Sequence, residues 1–111
     1  LDTRTDVYAL GVVLHELVSG ALPYEPGSRS LPDLARAIRD EPPRHLAAAA
    51  PGVPADLDAI AWRALEKDPV HRYENAAELA ADLHRFLRGE PVLARSQSAA
   101  RAALFFARRH K

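Results

Sequence analysis

Few residues of this chain are spaced to do chemistry. His15-Glu16 would open a helical zinc site if a second His stood three positions after the Glu, because both imidazoles would then share one helix face. Ser19 occupies that position. His45, His71, His84 and His110 fall at no ligand-like spacing, and without a cysteine neither a thiolate metal site nor a disulfide can form. Gly11, Gly20, Gly27, Gly52 and Gly89 are scattered, so no glycine-rich loop cradles a phosphate. Neither a Ser-centred nucleophile elbow nor a His-Arg-Asp catalytic loop occurs in residues 1–111. Two charged residues remain to be weighed. Asp6 heads an apolar run, where an acid complements a helix dipole by about 0.3–1 kcal/mol. Arg72 lies in a loop, where an arginine is ordinarily a solvated charge.

The elements around them are helical by pattern. From Val7 to Val18, nine of twelve residues are apolar, interrupted only by Gly11, His15 and Glu16. The apolar positions run most of the way round, which predicts a helix buried on nearly all sides, with Leu10, Leu14, Leu17 and Val18 as its most continuous ridge. It is too short for a membrane span of roughly 20 residues. Thr5 is the expected N-cap and Gly20 the left-handed C-cap. A second helix is expected after Ser30, with Pro32 in its first turn and a thin stripe of Leu31, Leu34, Ala35 and Ile38. Pro42-Pro43 stops it. Residues 42–54 read as a surface connection with at most one short turn. A third helix is predicted from about Ala55 to Leu65, anchored by Trp62, and closes through a turn at Asp68-Pro69. Asn75-Ala76-Ala77-Glu78 forms a capping box for a fourth, with Leu79, Leu83, Phe86 and Leu87 on one face and an end near Gly89. The expected fold is all-α, with about four main helices around a buried central one.

Composition bounds the chain to one modest soluble domain: 111 residues, 48% hydrophobic and 27% charged. The first six residues are polar and form no signal peptide, and the absence of any Met raises the expectation that a longer chain was cut here. The lack of cysteine fits an intracellular setting. Net charge is zero but unevenly placed, with −5 over residues 1–92 and +5 over residues 93–111. The tail begins with a short polar connection over residues 93–98. Residues 98–111 then pattern as a basic helix, with Ala102, Phe105 and Phe106 towards one side and Arg101, Arg108, Arg109 and Lys111 elsewhere. It suits an anionic membrane surface or plain solvation, and nucleic acid is not expected because no recognised readout module accompanies the basic residues.

The stretch Thr5-Asp6-Val7-Tyr8-Ala9-Leu10-Gly11-Val12-Val13-Leu14, followed by Ser19-Gly20-Ala21-Leu22-Pro23-Tyr24, resembles the large central helix of the protein kinase C-terminal lobe and its pocket-closing Pro-Tyr. Ala64-Leu65-Glu66-Lys67-Asp68-Pro69-Val70-His71-Arg72-Tyr73 resembles the same family's late motif, in family order and at a plausible separation. The resemblance covers residues 2–91 and implies a partial kinase domain over 1–91, with a basic, juxtamembrane-like segment of the bacterial Ser/Thr type over 92–111. It implies structural-motif roles for Asp6, Tyr8, Gly11, Pro23 and Arg72. Asp6 would hold the backbone of a catalytic loop, and Arg72 would pair with the Glu that ends the activation segment. Both partners lie upstream in the family and outside this chain, which leaves Arg72 without its acid and predicts near-neutral substitutions here. The second helix would be a surface for substrates or regulators, or simply a packing helix. The parent would use ATP and Mg2+ to phosphorylate protein Ser or Thr hydroxyls in the cytoplasm, near a membrane if a span follows Lys111. No ATP-covering loop, phosphate-binding strand Lys, catalytic Asp or magnesium ligands occur in residues 1–111, so the chain alone is expected to be inactive scaffold. A free-standing helical interaction domain, or a pseudokinase remnant, is the alternative.

Overall fold

Helix α1 spans Thr3–Ser19 and carries the long apolar stretch. The computed structural model describes residues 3–24, 27 and 30–96, all of its regular structure being helical among them. α1 has already begun at Thr3, so Thr5 sits inside its first turn and does not cap it. Its end agrees with expectation. Gly20 takes φ +72°, a conformation cheap only without a Cβ, and donates its N–H to Glu16 O at 2.8 Å.

Burial of α1 departs from the pattern reading. One stripe, Val7, Gly11 and His15 at i, i+4 and i+8, is buried, whereas Leu10, Val13, Leu17 and Val18 are exposed. The residues described here cover only one side of the helix, and it is the side with the smaller residues.

Helix α2, Leu31–Asp40, starts at the expected cap, where Ser30 Oγ accepts from Asp33 N–H at 3.2 Å. Its packing residue is Ala37. Leu31, expected on the apolar stripe, is 83% exposed, and Ile38 is exposed as well. A four-residue helix α3, Leu46–Ala49, interrupts the proline-rich connection and plants Leu46 in the interior. No local side chain caps it. Asp58 of the next helix does so from outside, its Oδ1 accepting from Ala47 N–H at 3.0 Å.

Helix α4, Ala55–Ala64, lies against α1 and contributes Ile60, Ala61 and Ala64 to the interior. Trp62 is its anchor, as expected: the indole stacks on His45 with centroids 3.7 Å apart and planes within 2°. A 3-10 turn at Pro69–His71 leads to α5, Ala76–Leu87. The capping box forms, with Asn75 Oδ1 accepting from Glu78 N–H at 2.9 Å, while Glu78 reaches back to Glu74 N–H at 3.2 Å. A Schellman closure ends the helix: Gly89, at φ +73°, donates to Phe86 O and Glu90 donates to Arg85 O. Leu87, expected on the packed face, is exposed.

The core is Val7, Ile60, Ala64, Tyr73, Leu79, Val92 and Ala94, flanked by Leu14, Ala59, Leu83 and Phe86. Full burial of a residue the size of Ile60 or Leu79 contributes about 1.5–3 kcal/mol. Val92 and Ala94 belong to this core, and residues 93–96 are helical, so the stretch read as a polar connection starts inside the body.

Candidate functional site

The two motifs meet. Gly11 of α1 faces Ala64 of α4 so closely that a Cβ on residue 11 would stand 2.8 Å from Ala64 Cβ and 3.2 Å from Leu65 Cδ2. The missing side chain at Gly11 is what lets the two helices approach. Next to this crossing the Arg72 guanidinium binds across the junction. Its Nε and Nη2 donate to Glu66 O at 2.9 and 2.6 Å, Nη2 also to Lys67 O at 3.2 Å, and Nη1 to Arg4 O in the first turn of α1 at 2.8 Å. Its Cζ lies 5.2 Å from the centre of the Tyr8 ring. Arg72 is 9% exposed. The expectation of an arginine stranded without its partner is therefore corrected: it ties the 64–73 stretch to α1 through backbone carbonyls.

Asp6 sits in the first turn of α1 and is exposed. Pro23 is buried, and its carbonyl accepts from Arg44 N–H at 2.8 Å. Asp6 lies between Arg4 and Tyr8, both of which Arg72 touches, whereas Pro23 stands past the far end of α1. Arg101, Phe105, Phe106, Arg108, Arg109 and Lys111 lie outside the described residues.

At the C-terminal end of α1, His15 holds the Pro23 loop. Its Nδ1 is 2.8 Å from Ala21 O and its Nε2 3.0 Å from Arg44 O, and the ring is fully buried. Ser19 completes the junction, donating to His15 O at 2.7 Å and accepting from Ala21 N–H at 3.1 Å. A buried histidine read in the sequence only as a failed zinc ligand is thus a structural tie. Beyond it Tyr24, also buried, donates its hydroxyl to Glu41 O at 3.3 Å and accepts from Lys67 Nζ, which also binds Ile38 O. Burial pushes the Tyr24 phenol up and the Lys67 ammonium down from their ordinary ranges, each favouring the neutral form.

Sequence reasoning missed Asp82. Its carboxylate is fully buried on α5 and accepts four hydrogen bonds: from Tyr73 Oη at 2.6 Å, Leu93 N–H at 2.7 Å, Ala94 N–H at 3.0 Å and Arg85 Nη1 at 3.0 Å. Burial alone would raise this carboxyl, but the bonds from Tyr73, the two amides and Arg85 outweigh it and hold it below the usual carboxylate range. Tyr73 moves the opposite way, pushed up by burial and then by its bond to the carboxylate. A signal existed. Residue 82 lies three after Leu79 and four before Phe86, so an acid interrupts the packed face of an amphipathic helix.

Among the described residues no three His, Asp or Glu side chains converge as metal ligands, and no helix is long and apolar enough to cross a membrane.

No protein-family model matches the chain. Individual proteins do. Over 95 residues it is 42% identical to the serine/threonine-protein kinase PknB of Mycobacterium tuberculosis, covering 82% of this chain and 14% of that kinase. A probable serine/threonine-protein kinase of Clostridium perfringens is 35% identical over 100 residues, with 88% and 14% covered. Another, of Corynebacterium efficiens, is 38% identical over 90 residues, with 78% and 14% covered. The chain spans about 14% of the length of these curated relatives.

Proposed function

We propose that this chain, a relative of bacterial serine/threonine-protein kinases over most of its length, is the late part of such a kinase's larger lobe. The longer protein would transfer the γ-phosphoryl group of ATP to protein Ser or Thr hydroxyls. The observation that carries the placement is the Arg72 junction, where a guanidinium from the second motif binds the backbone of the first at Arg4 and lies over Tyr8. Two stretches matched to one family independently are thereby one structural unit. Asp6, exposed beside that unit, is free to hold a loop of the longer protein, and Gly11 and Pro23 shape the scaffold around it.

Among the described residues the positive-φ glycines Gly20, Gly27, Gly52 and Gly89 stand in separate turns, and this supports placing the ATP and Mg2+ sites elsewhere. In this reading nucleotide and metal belong to segments outside the 111 residues, and the chain acts as scaffold. Its partners are then those segments in cis and the protein substrates of the longer protein, in the cytoplasm. The basic tail, with Arg101, Phe105, Phe106, Arg108, Arg109 and Lys111, would add weak, salt-sensitive contact with an anionic membrane at about 1 kcal/mol per basic residue near the surface. Equal partitioning of the chain onto neutral and anionic vesicles would remove that part of the reading.

The central test is to read the gene upstream and assay both products. A longer protein carrying a glycine-rich loop and a catalytic Asp should move labelled phosphate from ATP to Ser/Thr peptides, and the 111-residue chain should not. An upstream frame without those motifs, or transfer by the 111-residue chain alone, overturns the proposal.

A further inference from the structure

We propose that Asp82 is an N-cap supplied from a distance: a carboxylate on α5 that starts the helical stretch at residue 93 and holds residues 93–96 against the body. A helix start leaves its first N–H groups without intrahelical partners, and a nearby side-chain acceptor normally takes them. Here the chain before residue 93 offers none, since Pro91 and Val92 carry no polar side chain. The acceptor comes from eleven residues back. Leu93 N–H meets Asp82 Oδ1 and Ala94 N–H meets Oδ2, one amide on each oxygen.

The same carboxylate receives Tyr73 Oη on Oδ2 and Arg85 Nη1 on Oδ1, so four donors occupy an ion with about four acceptor positions. Protonation removes the charge that these four bonds share: Tyr73 Oη can turn to accept from the new acid hydrogen, and Arg85 loses its ion-pair partner. Tyr73 is held in the core, where Arg63 of α4 lies with its Cζ 4.3 Å from the ring centre, whereas the Arg85 side chain is partly exposed. The amides of residues 93 and 94 cannot move far, since Val92 and Ala94 are core residues, so protonation leaves each on a weaker, neutral acceptor. Outside the clasp, Arg95 meets Asp56 of α4 at 3.2 Å, a largely exposed pair that adds little by itself. The helical start at residue 93 is therefore held by one buried charge, and protonation weakens that hold. This inference stands independently of the kinase reading.

The test uses the isotopically labelled 111-residue chain, followed by NMR from pH 7 downwards. The amide proton shifts of Leu93 and Ala94 should titrate together with the Asp82 carboxyl carbon, at one midpoint below about pH 4. Over that range, hydrogen-exchange protection at residues 93–96 should fall about tenfold or more while α1 and α4 keep theirs. Amides at 93 and 94 that ignore the carboxyl titration overturn the proposal. Asp82→Asn should give the same local loss at pH 7, and unchanged protection at 93–96 would overturn it too. If that variant fails to fold, Leu93→Pro decides, because it removes one donor at a first-turn position that tolerates proline. The Asp82 carboxyl should then titrate at higher pH than in the unaltered chain, and an unmoved titration counts against the clasp.

Discussion

Truncating Arg72 to Ala in the 111-residue chain should cost about 2–4 kcal/mol. The guanidinium satisfies three carbonyl oxygens, those of Arg4, Glu66 and Lys67, at 2.6–3.2 Å. Hydrogen bonds from a charged donor contribute about 1.5–3 kcal/mol net, neutral ones about 0.5–1.5. Water can reach some of these carbonyls once the side chain is gone, so about 1 kcal/mol per oxygen is appropriate. Contact with the Tyr8 ring at 5.2 Å adds about 0.5–1 kcal/mol, and the entropy regained by an unfixed side chain offsets a comparable amount. Urea unfolding followed by the fluorescence of Trp62, the single tryptophan, reads the loss as a midpoint lowered by about 1–2 M. Arg72→Lys should recover no more than half, because an ammonium cannot spread donors over carbonyls from both the α1 turn and residues 66–67. A loss below about 0.5 kcal/mol for Arg72→Ala would show that the junction does not hold the two motifs together.

Gly11→Ala brings a Cβ within 2.8 Å of Ala64 Cβ, so an overpacking cost of about 1–3 kcal/mol should outweigh the helix-propensity gain of about 1 kcal/mol. Ala64→Gly should relieve it, visible as coupling in a double-mutant cycle by urea unfolding. On α1, Leu14→Ala should cost about 2 kcal/mol, since Leu14 packs on the core, whereas Leu17→Ala, at a side chain 78% exposed, should stay within about 0.5 kcal/mol. Asp82 is an acid whose folded value is depressed, so its contribution is complete above the ordinary carboxylate value near pH 4 and is lost as pH falls through the lower folded value. Tyr73 is raised, so its contribution is complete below about pH 10 and is lost as pH rises beyond it. Thermal midpoints measured across pH should therefore fall at both ends, and Tyr73→Phe should reduce the alkaline component, leaving the share of Tyr24.

What the sequence discloses depends on how far apart the interacting residues stand. Ser30, Gly20, Asn75 and Gly89 were legible because a cap and the amides or carbonyls it serves lie within five residues. Asp58 on α3, His15 on Arg44, Arg72 on Arg4 and Asp82 on Leu93 were not, their partners being 11, 29, 68 and 11 residues away. Arg72 is the instructive case. The family resemblance singled the residue out and implied a carboxylate partner outside this chain, and within the chain three carbonyls hold the guanidinium. Periodicity erred at α1 and α2 for another reason. It reports which faces are apolar and says nothing of which face a given neighbour occupies, so Leu31, Ile38 and Leu87 were assigned to cores that do not reach them.

That distinction bears on the proposed function through α1. An amphipathic helix ordinarily turns its large aliphatics inward. Here the inward stripe is Val7, Gly11 and His15, and Leu10, Val13 and Leu17, at i, i+3 and i+7, look out. The buried stripe carries a glycine that permits close approach and a histidine that ties a loop, so it is specialised for this contact. The outward stripe is generic apolar surface. At about 1.5–3 kcal/mol for fully burying each such side chain, covering it would stabilise the helix by several kcal/mol. A domain complete in these residues would gain nothing from keeping that surface apolar. A segment of a longer protein would, because further chain could lay a second layer against it, and this chain spans about 14% of its relatives' length. The helix is then central in the proposed longer protein and peripheral in the piece described here, and the two faces of one element record the two situations.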